Sequence, residues 1–294
     1  MARVVLVLPE RQLEPLLRNY ASALRARRWR GAIATIMLGA CVAAAAWAAG
    51  VDIPKLVEGF GRFTSYFDRL LRLDSGLRVW NDAGEWLWGW KRWLRLLGDT
   101  VLIAYVGTCL GALGAFFLSF LAAENLDRPA PLRFLTRRFL EFCRTVPDLV
   151  FALVFVVAFG LGPVPGVLAI ALHSLGALGK LFFEIVENID NGPVAGVQAT
   201  GATFPATVRF AVLPQVLAGF ASYALLRFEI NVRGAAVMGF VGAGGIGQDL
   251  IESIRKFYYA DVSAILALII ATVFLIDVAT GWLRRSLAAT ESAR

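Results

Sequence analysis

Two stretches of this chain contain no charged residue over a length that suits a membrane span. They cover residues 31–49 and 101–123 and consist mainly of small and apolar residues. A helix rises about 1.5 Å per residue, so about 20 residues cross the roughly 30 Å hydrocarbon layer of a bilayer. Hydrophobic residues make up 58% of the 294 positions, which is too apolar for a domain that must keep a charged surface in water. The sequence therefore predicts an all-α integral membrane protein.

Four more apolar blocks bring the expected number of transmembrane helices to about six. The blocks cover residues 149–161, 164–183, 213–241 and 262–282. A run rich in glycine and proline, residues 160–166, separates the third span from the fourth and predicts a tight helical hairpin near one membrane face.

The basic residues gather mainly at the ends of these blocks. The chain has 29 Lys and Arg against 22 Asp and Glu, a net charge of +7. Such a bias at span ends indicates membrane topology rather than nucleic-acid binding. The loop after the second span carries a basic cluster: Arg128, Arg133, Arg137, Arg138 and Arg144. With six spans, this loop and both basic termini share one side, so we predict both termini in the cytoplasm.

The expected organisation has five parts. Residues 1–30 form a basic cytoplasmic arm, 31–50 the first transmembrane helix, 51–98 a periplasmic or interfacial segment, 99–285 the transmembrane core and 286–294 a cytoplasmic tail. The length of the arm favours a retained anchor over a cleaved signal peptide. The outer segment is rich in tryptophan: Trp80, Trp86, Trp88, Trp90 and Trp93. This composition predicts a collar in the headgroup region, acting either as an aromatic belt or as a lateral gate.

No motif indicates catalysis or a metal site. The three cysteines lack CxxC spacing, and the chain has a single histidine,. Residues 242–247 formally match GxGxxG, but a dinucleotide site needs a preceding strand, and here a membrane helix precedes the glycines. We interpret them as a flexible turn or gate at the outer end of the fifth span. The glycines are Gly242, Gly244, Gly245 and Gly247. We predict no catalytic residue, no metal and no cofactor bound by this chain.

The fifth span carries charge where charge is costly, so its polar residues should face water or a partner helix. The candidate pathway residues are Arg227, Glu229, Asn231, Arg233 and, in the fourth span, His173. Glu229 and Arg233 have the i, i+4 spacing of a helical ion pair, which leaves simple neutralisation open. Arg227 lies 14 residues beyond Leu213, about 21 Å along the helix, and its planar guanidinium suits an oxyanion. His173 either bonds a neighbouring helix or contacts the substrate.

The loop between the fourth and fifth spans resembles a known motif. Residues 192–202 read GPVAGVQATGA, and residues 210–215 read FAVLPQ. The pattern is similar to the EAA loop of bacterial ABC importer permeases, the inner-membrane components of binding-protein-dependent transport. In that loop, EAAxxxG precedes an apolar residue, Leu and Pro by about a dozen residues. The matching positions, in a coupling loop at about 190–214, are Ala195, Gly196, Val197, Gly201, Ala202, Leu213 and Pro214.

Four further segments make the resemblance more specific to phosphonate-type permeases. They are residues 144–147, 171–182, 227–233 and 242–247, and the likeness extends over residues 98–285. The resemblance implies a type I importer fold like that of methionine importers, in the bacterial inner membrane. It also implies a permease for phosphonate, phosphate or phosphite that is not itself an enzyme.

The resemblance implies four kinds of partner: a second copy of the chain, a cytoplasmic ATPase dimer that binds MgATP, a periplasmic or lipid-anchored substrate-binding protein, and membrane lipid. One position departs from the motif, because Ala195 occupies the place of its acidic residue. Three alternatives stay open: an ATP-independent secondary anion transporter or channel, a permease for another small anion, and a membrane enzyme.

Overall fold

The computed structural model describes residues 10–126 and 128–292, with side chains described for residues 20, 22–126 and 128–287. The described residues form twelve α-helices and a single isolated bridge between Arg72 and Arg78. The chain divides into two compact units, residues 1–66 and 67–294. The first unit contains α1 (Glu10–Ala48) and most of α2 (Ile53–Leu70).

The second unit contains the other helices. They are α3 (Ala83–Trp86), α4 (Trp90–Ala122), α5 (Ala130–Thr145), α6 (Asp148–Phe159), α7 (Pro163–Glu187), α8 (Asn191–Ala199), α9 (Phe204–Thr207), α10 (Leu213–Met238), α11 (Ile246–Arg255) and α12 (Tyr259–Ser292). A π-helical turn, Val208–Val212, joins α9 to α10, and a 3-10 turn, Gly239–Val241, follows α10.

Five helical stretches of the described chain are long and apolar enough to cross a membrane. A sixth is counted if the pair α5 and α6, which meet at 87°, forms one broken span. The bend falls at Val146 and Pro147, where proline disfavours helical geometry in the residue before it. The predicted all-α membrane fold with about six spans is therefore confirmed as five to six.

The helices are longer than the uncharged blocks that predicted them. α1 starts by Glu10, α4 starts at Trp90, and α12 continues to Ser292. The blocks are bounded where charged residues become frequent, whereas a helix continues through arginines whose stems lie along apolar surface while their heads reach polar surroundings. The cytoplasmic location of residues 1–30 and 286–294 stays a prediction, and residues 1–9 and 293–294 of those segments lie outside the described residues.

α4 and α7 pack at very short range. Glycines at positions 107, 111 and 114 repeat along one face of α4, and a Cβ at Gly107 would lie 2.7 Å from Ile170 Cγ2. A Cβ at Gly111 would lie 2.7 Å from the Ala171 carbonyl oxygen. Small residues at such spacing let membrane helices approach until their backbones touch. This contact sets the position of α7 beside α10.

The tryptophan-rich segment packs partly against protein. Trp93 is buried, the Trp86 indole donates to Ser263 Oγ at 2.9 Å, and the Trp88 indole donates to Asp261 Oδ1 at 2.8 Å. Trp80 and Trp90 are exposed. The segment thus joins α3 and the start of α4 to the start of α12, and its exposed rings are the ones available for a headgroup collar.

Candidate substrate pathway and coupling segment

The polar residues of α10 lie on two faces of the helix. Residues three, four and seven apart share a face, because the helix turns once in 3.6 residues. Arg227, Asn231 and Gly234 form one such set, while Glu229 and Arg233 belong to the other. The structure therefore separates the predicted pathway residues into two groups with different neighbours, α7 on one side and α12 on the other.

The face towards α7 is held by hydrogen bonds to hydroxyl groups. The amide of Asn231 donates to Ser174 Oγ and to Thr108 Oγ1, both at 2.8 Å, and its side chain is buried. Arg227 Nε donates to the same Ser174 oxygen at 3.3 Å. Asn231 therefore joins α4, α7 and α10, and both of its amide hydrogens are in use.

His173 joins α7 to the bend between α5 and α6. Its Nδ1 lies 3.0 Å from the carbonyl oxygen of Val146. A carbonyl oxygen only accepts, so the proton of the neutral ring lies on Nδ1. Asp148, the first residue of α6, lies close to α10, because a Cβ at Gly234 would be 3.3 Å from its Oδ2. His173 thus makes the helix-to-helix bond that the sequence left as one of two alternatives, while substrate contact stays a prediction.

The face towards α12 is ionic. Glu229 is buried and accepts a hydrogen bond from Arg233 at 2.5 Å, which is the i, i+4 pair that its spacing predicts. Arg284 of α12 approaches the other carboxylate oxygen at 3.5 Å. Sequence reasoning missed Arg284, because Arg284 and Arg285 resemble the basic end of a span. No local sequence pattern indicates this contact, because it joins two helices at positions 55 residues apart.

The predicted coupling loop contains a short exposed helix, α8. Asp190 caps it by accepting the Gly192 amide at 2.9 Å, and Val194 is the buried residue that fixes it to the core. Ala195 and Gly196 are exposed, and a Cβ at Gly196 would meet nothing within 4 Å. Val197 is half-buried against the core. α8 is therefore anchored on one side and open on the other.

The segment after α8 returns the chain to the membrane. Gly201 has φ +77°, a left-handed conformation that glycine adopts without steric cost,. Ala202 is half-buried, α9 and the π-helical turn follow, and α10 begins at Leu213 with Pro214 in its first turn. Proline is tolerated there because the first amides of a helix have no intrahelical acceptor.

The loop between α4 and α5, together with α5, holds the end of α7, which leads into α8. Arg137 donates to Glu124 at 2.9 Å and to Glu187 at the end of α7. Asn125 donates to the Val186 carbonyl at 2.7 Å. Glu187 therefore has a partner just before α8, and Asp190 caps that helix. The third acidic residue near the loop is Glu184, which lies 3.4 Å from Lys180 Nζ.

The glycine turn after α10 is packed rather than open. Gly242, Gly244 and Gly245 have φ of +81°, +86° and +80°. The turn touches α7, because a Cβ at Gly244 would lie 3.1 Å from Pro163 Cα. At its end the Ile246 amide donates to Thr100 Oγ1 of α4 at 2.9 Å, and Gly247 lies against Gly239. The expected flexible turn is thus a buried junction of α4, α7 and α10; its role as a gate stays a prediction.

Among the residues that the structure describes, no three His, Cys, Asp or Glu side chains form a group that could hold a metal ion. The side chains that the structure brings together on α10 and its neighbours are guanidinium groups, the buried carboxylate of Glu229 and hydroxyl groups. Such a set binds anions by charge and hydrogen bonds.

Two relatives resemble the chain over long stretches. The phosphite transport system permease protein PtxC of Stutzerimonas stutzeri is 37% identical over 96% of this chain and 97% of its own length. The phosphate-import permease protein PhnE of Mycolicibacterium smegmatis is 36% identical over 78% of this chain and 41% of its own length.

The fold has a counterpart among solved structures. An inward-facing structure of the MetNI methionine ABC transporter matches with a TM-score of 0.58 and 22% identity, over 68% of this chain and 97% of that one. Residues 115–290 match the family described as binding-protein-dependent transport system inner membrane components. The matched region contains α8, α10 and the arginines of both faces. This chain is a multi-pass inner-membrane protein that belongs to that family of transport permeases.

Proposed function

We propose that this chain is the permease subunit of an ATP-driven importer for a phosphorus oxyanion such as phosphite, phosphonate or phosphate. One observation carries the proposal: the similarity to a phosphite permease extends over nearly the whole of both chains and includes the arginine-bearing helix α10. The relatives give no support to an ATP-independent transporter. Permeases of this family are not enzymes, so MgATP is hydrolysed by a separate ATPase dimer.

The transport cycle that fits this proposal is alternating access. Two copies of the chain form the translocation path, with both termini in the cytoplasm, and a substrate-binding protein delivers the anion from outside. Closure of the ATPase dimer draws the two α8 helices together and opens the path outward, and hydrolysis returns it inward. The arrangement of α8 supports this coupling role. One side of α8 is fixed to the core through Val194 and the other is exposed, so a force on the exposed side is transmitted to the adjoining membrane helices.

The docking surface of α8 is small and uncharged. Ala195 and Gly196 are exposed where the family motif has an acidic residue and an alanine. Two of the neighbouring acids already have partners within the permease, because Glu187 pairs with Arg137 and Asp190 accepts the Gly192 amide. We therefore propose that α8 fits the ATPase by shape, with apolar contact in place of an ion pair.

Arg227 and Arg233 are the proposed anion contacts along the path. A guanidinium binds phosphorus oxyanions through paired N–H donors. The contacts must be weak, because a tight site would retain its cargo. Glu229 balances part of the charge, while Asn231 and His173 hold the helices that carry the arginines.

The test is uptake of inorganic phosphite by cells that depend on this transporter. Arg227→Ala and Arg233→Ala should abolish uptake while the amount of assembled transporter in the membrane stays the same. Uptake at the unmodified rate in both variants contradicts the anion path along α10.

A further inference from the structure

The ion cluster between α10 and α12 holds more positive than negative charge. Arg233 and Arg284 both reach Glu229, and no other acidic side chain of the described chain pairs with either arginine. Charge inside a bilayer is costly, and an uncompensated ionisable group there marks a functional site by default. The cluster therefore has the charge needed to attract an anion.

The two arginines are held unequally. Arg233 Nη2 and Glu229 Oε1 are 2.5 Å apart. Arg284 Nη2 and Glu229 Oε2 are 3.5 Å apart, which is at the limit of a hydrogen bond,. Arg284 Nε is buried and has no hydrogen-bond partner within the described chain. One edge of the Arg284 guanidinium thus has one N–H without an acceptor and one in a loose contact.

That edge matches the geometry of a tetrahedral oxyanion. The Nε and Nη2 hydrogens of arginine point in parallel and bind two oxygens of a phosphate-like group at once. The Arg284 side chain is 29% exposed and the Arg233 side chain 54% exposed, while the Arg284 Nε atom itself is buried, so an anion would reach Nε only when the contact with Glu229 opens. An unsatisfied buried donor also costs stability until an acceptor arrives.

We propose that Arg284 binds the transported phosphorus oxyanion through its Nε and Nη2 edge, and that Glu229 is the resident counter-ion of the empty site. Entry of the anion breaks only the 3.5 Å contact and leaves the pair of Glu229 with Arg233 in place. A singly charged oxyanion then neutralises the cluster. When the anion leaves, Glu229 returns to Arg284, which keeps binding weak. This inference rests on the proposed function and adds to it a contact residue on α12.

The next residue in the chain supplies a matched control. Arg285 is exposed and donates from Nε to the Gly281 carbonyl of its own helix at 3.3 Å. It carries the same charge one position further along α12, about 100° around the helix, and it has no part in the Glu229 cluster. A general effect of losing an arginine from this end of α12 should appear equally in both variants.

The experiment measures binding of inorganic phosphite to the purified permease and ATPase complex without binding protein, by 31P NMR line broadening. Arg284→Ala should weaken the apparent Kd at least tenfold, and Arg285→Ala should leave it unchanged. Glu229→Gln, which removes the competing charge but keeps an acceptor, should tighten the Kd severalfold. If Arg284→Ala fails to assemble, Arg284→Lys is the second variant. It keeps the positive charge but lacks the paired N–H donors of the guanidinium, so it should still weaken binding.

The outcomes separate this inference from the proposed function. Equal effects of Arg284→Ala and Arg285→Ala, or weaker binding in Glu229→Gln, would show that the pair only holds the helices together and would overturn the inference. If the unmodified transporter moves no phosphorus oxyanion in the presence of ATPase and binding protein, the proposed function itself fails.

Discussion

Two ion pairs of identical spacing occupy opposite surroundings in this protein. Glu229 pairs with Arg233 in α10, and Glu252 pairs with Lys256 in α11, both at i, i+4 and both at 2.5 Å. The first carboxylate is buried between membrane helices, and the second is exposed on a helix that is not one of the candidate spans. Local sequence rules predict both pairs equally well. The surroundings determine how much each pair contributes to stability, because desolvation strengthens the attraction between the charges and makes any unpaired charge costly.

Removal of the buried carboxylate should have the largest effect. Glu229→Ala leaves Arg233 and Arg284 without their shared acceptor between α10 and α12. Breaking a buried pair by removing one partner costs about 3–5 kcal/mol, and we expect the lower end because Arg233 is half exposed. The measurement is thermal unfolding of the purified complex in detergent. A midpoint equal to that of the unmodified protein would contradict the buried character of the pair.

A neutral buried group in the same helix should have an intermediate effect. Asn231→Leu keeps the volume but removes two donors, to Ser174 and to Thr108. Hydrogen bonds between membrane helices contribute modestly, so we expect a loss of about 1–2 kcal/mol in the same unfolding experiment. Phosphite uptake per folded transporter should not change. A normal midpoint with lost uptake would instead make Asn231 a pathway residue.

The exposed pair should have the smallest effect. Glu252→Ala should leave the unfolding midpoint within error at neutral pH, since exposed pairs contribute little. The hydrogen bond from Lys256 lowers the pKa of Glu252 in the folded protein. Its small contribution is therefore present above the unfolded-state pKa and is lost as the pH falls through the folded value. A large difference between variant and parent at neutral pH, vanishing in acid, would show that the pair is stronger than its exposure implies.

Composition predicted the membrane helices because burial in lipid depends on apolar length alone. The ion pair of Glu229 with Arg233 was predictable because residues four apart lie next to each other on a helix. The short helix α8 was predicted from the resemblance of its sequence to the coupling motif. The contact with Arg284 was not predictable, because it joins positions 55 residues apart through the packing of α10 on α12. The 87° bend at Pro147 was likewise only half predictable. Proline indicates a break, but the packing of α7 on α5 and α6 sets the angle.

The central claim is that this chain moves a phosphorus oxyanion only when a partner ATPase works. The direct test is phosphite uptake into proteoliposomes that contain the permease, its ATPase and its binding protein. We predict accumulation above the external concentration with MgATP at the ATPase side, and none with a non-hydrolysable ATP analogue. Equilibration of phosphite at the same rate without ATP would contradict the account.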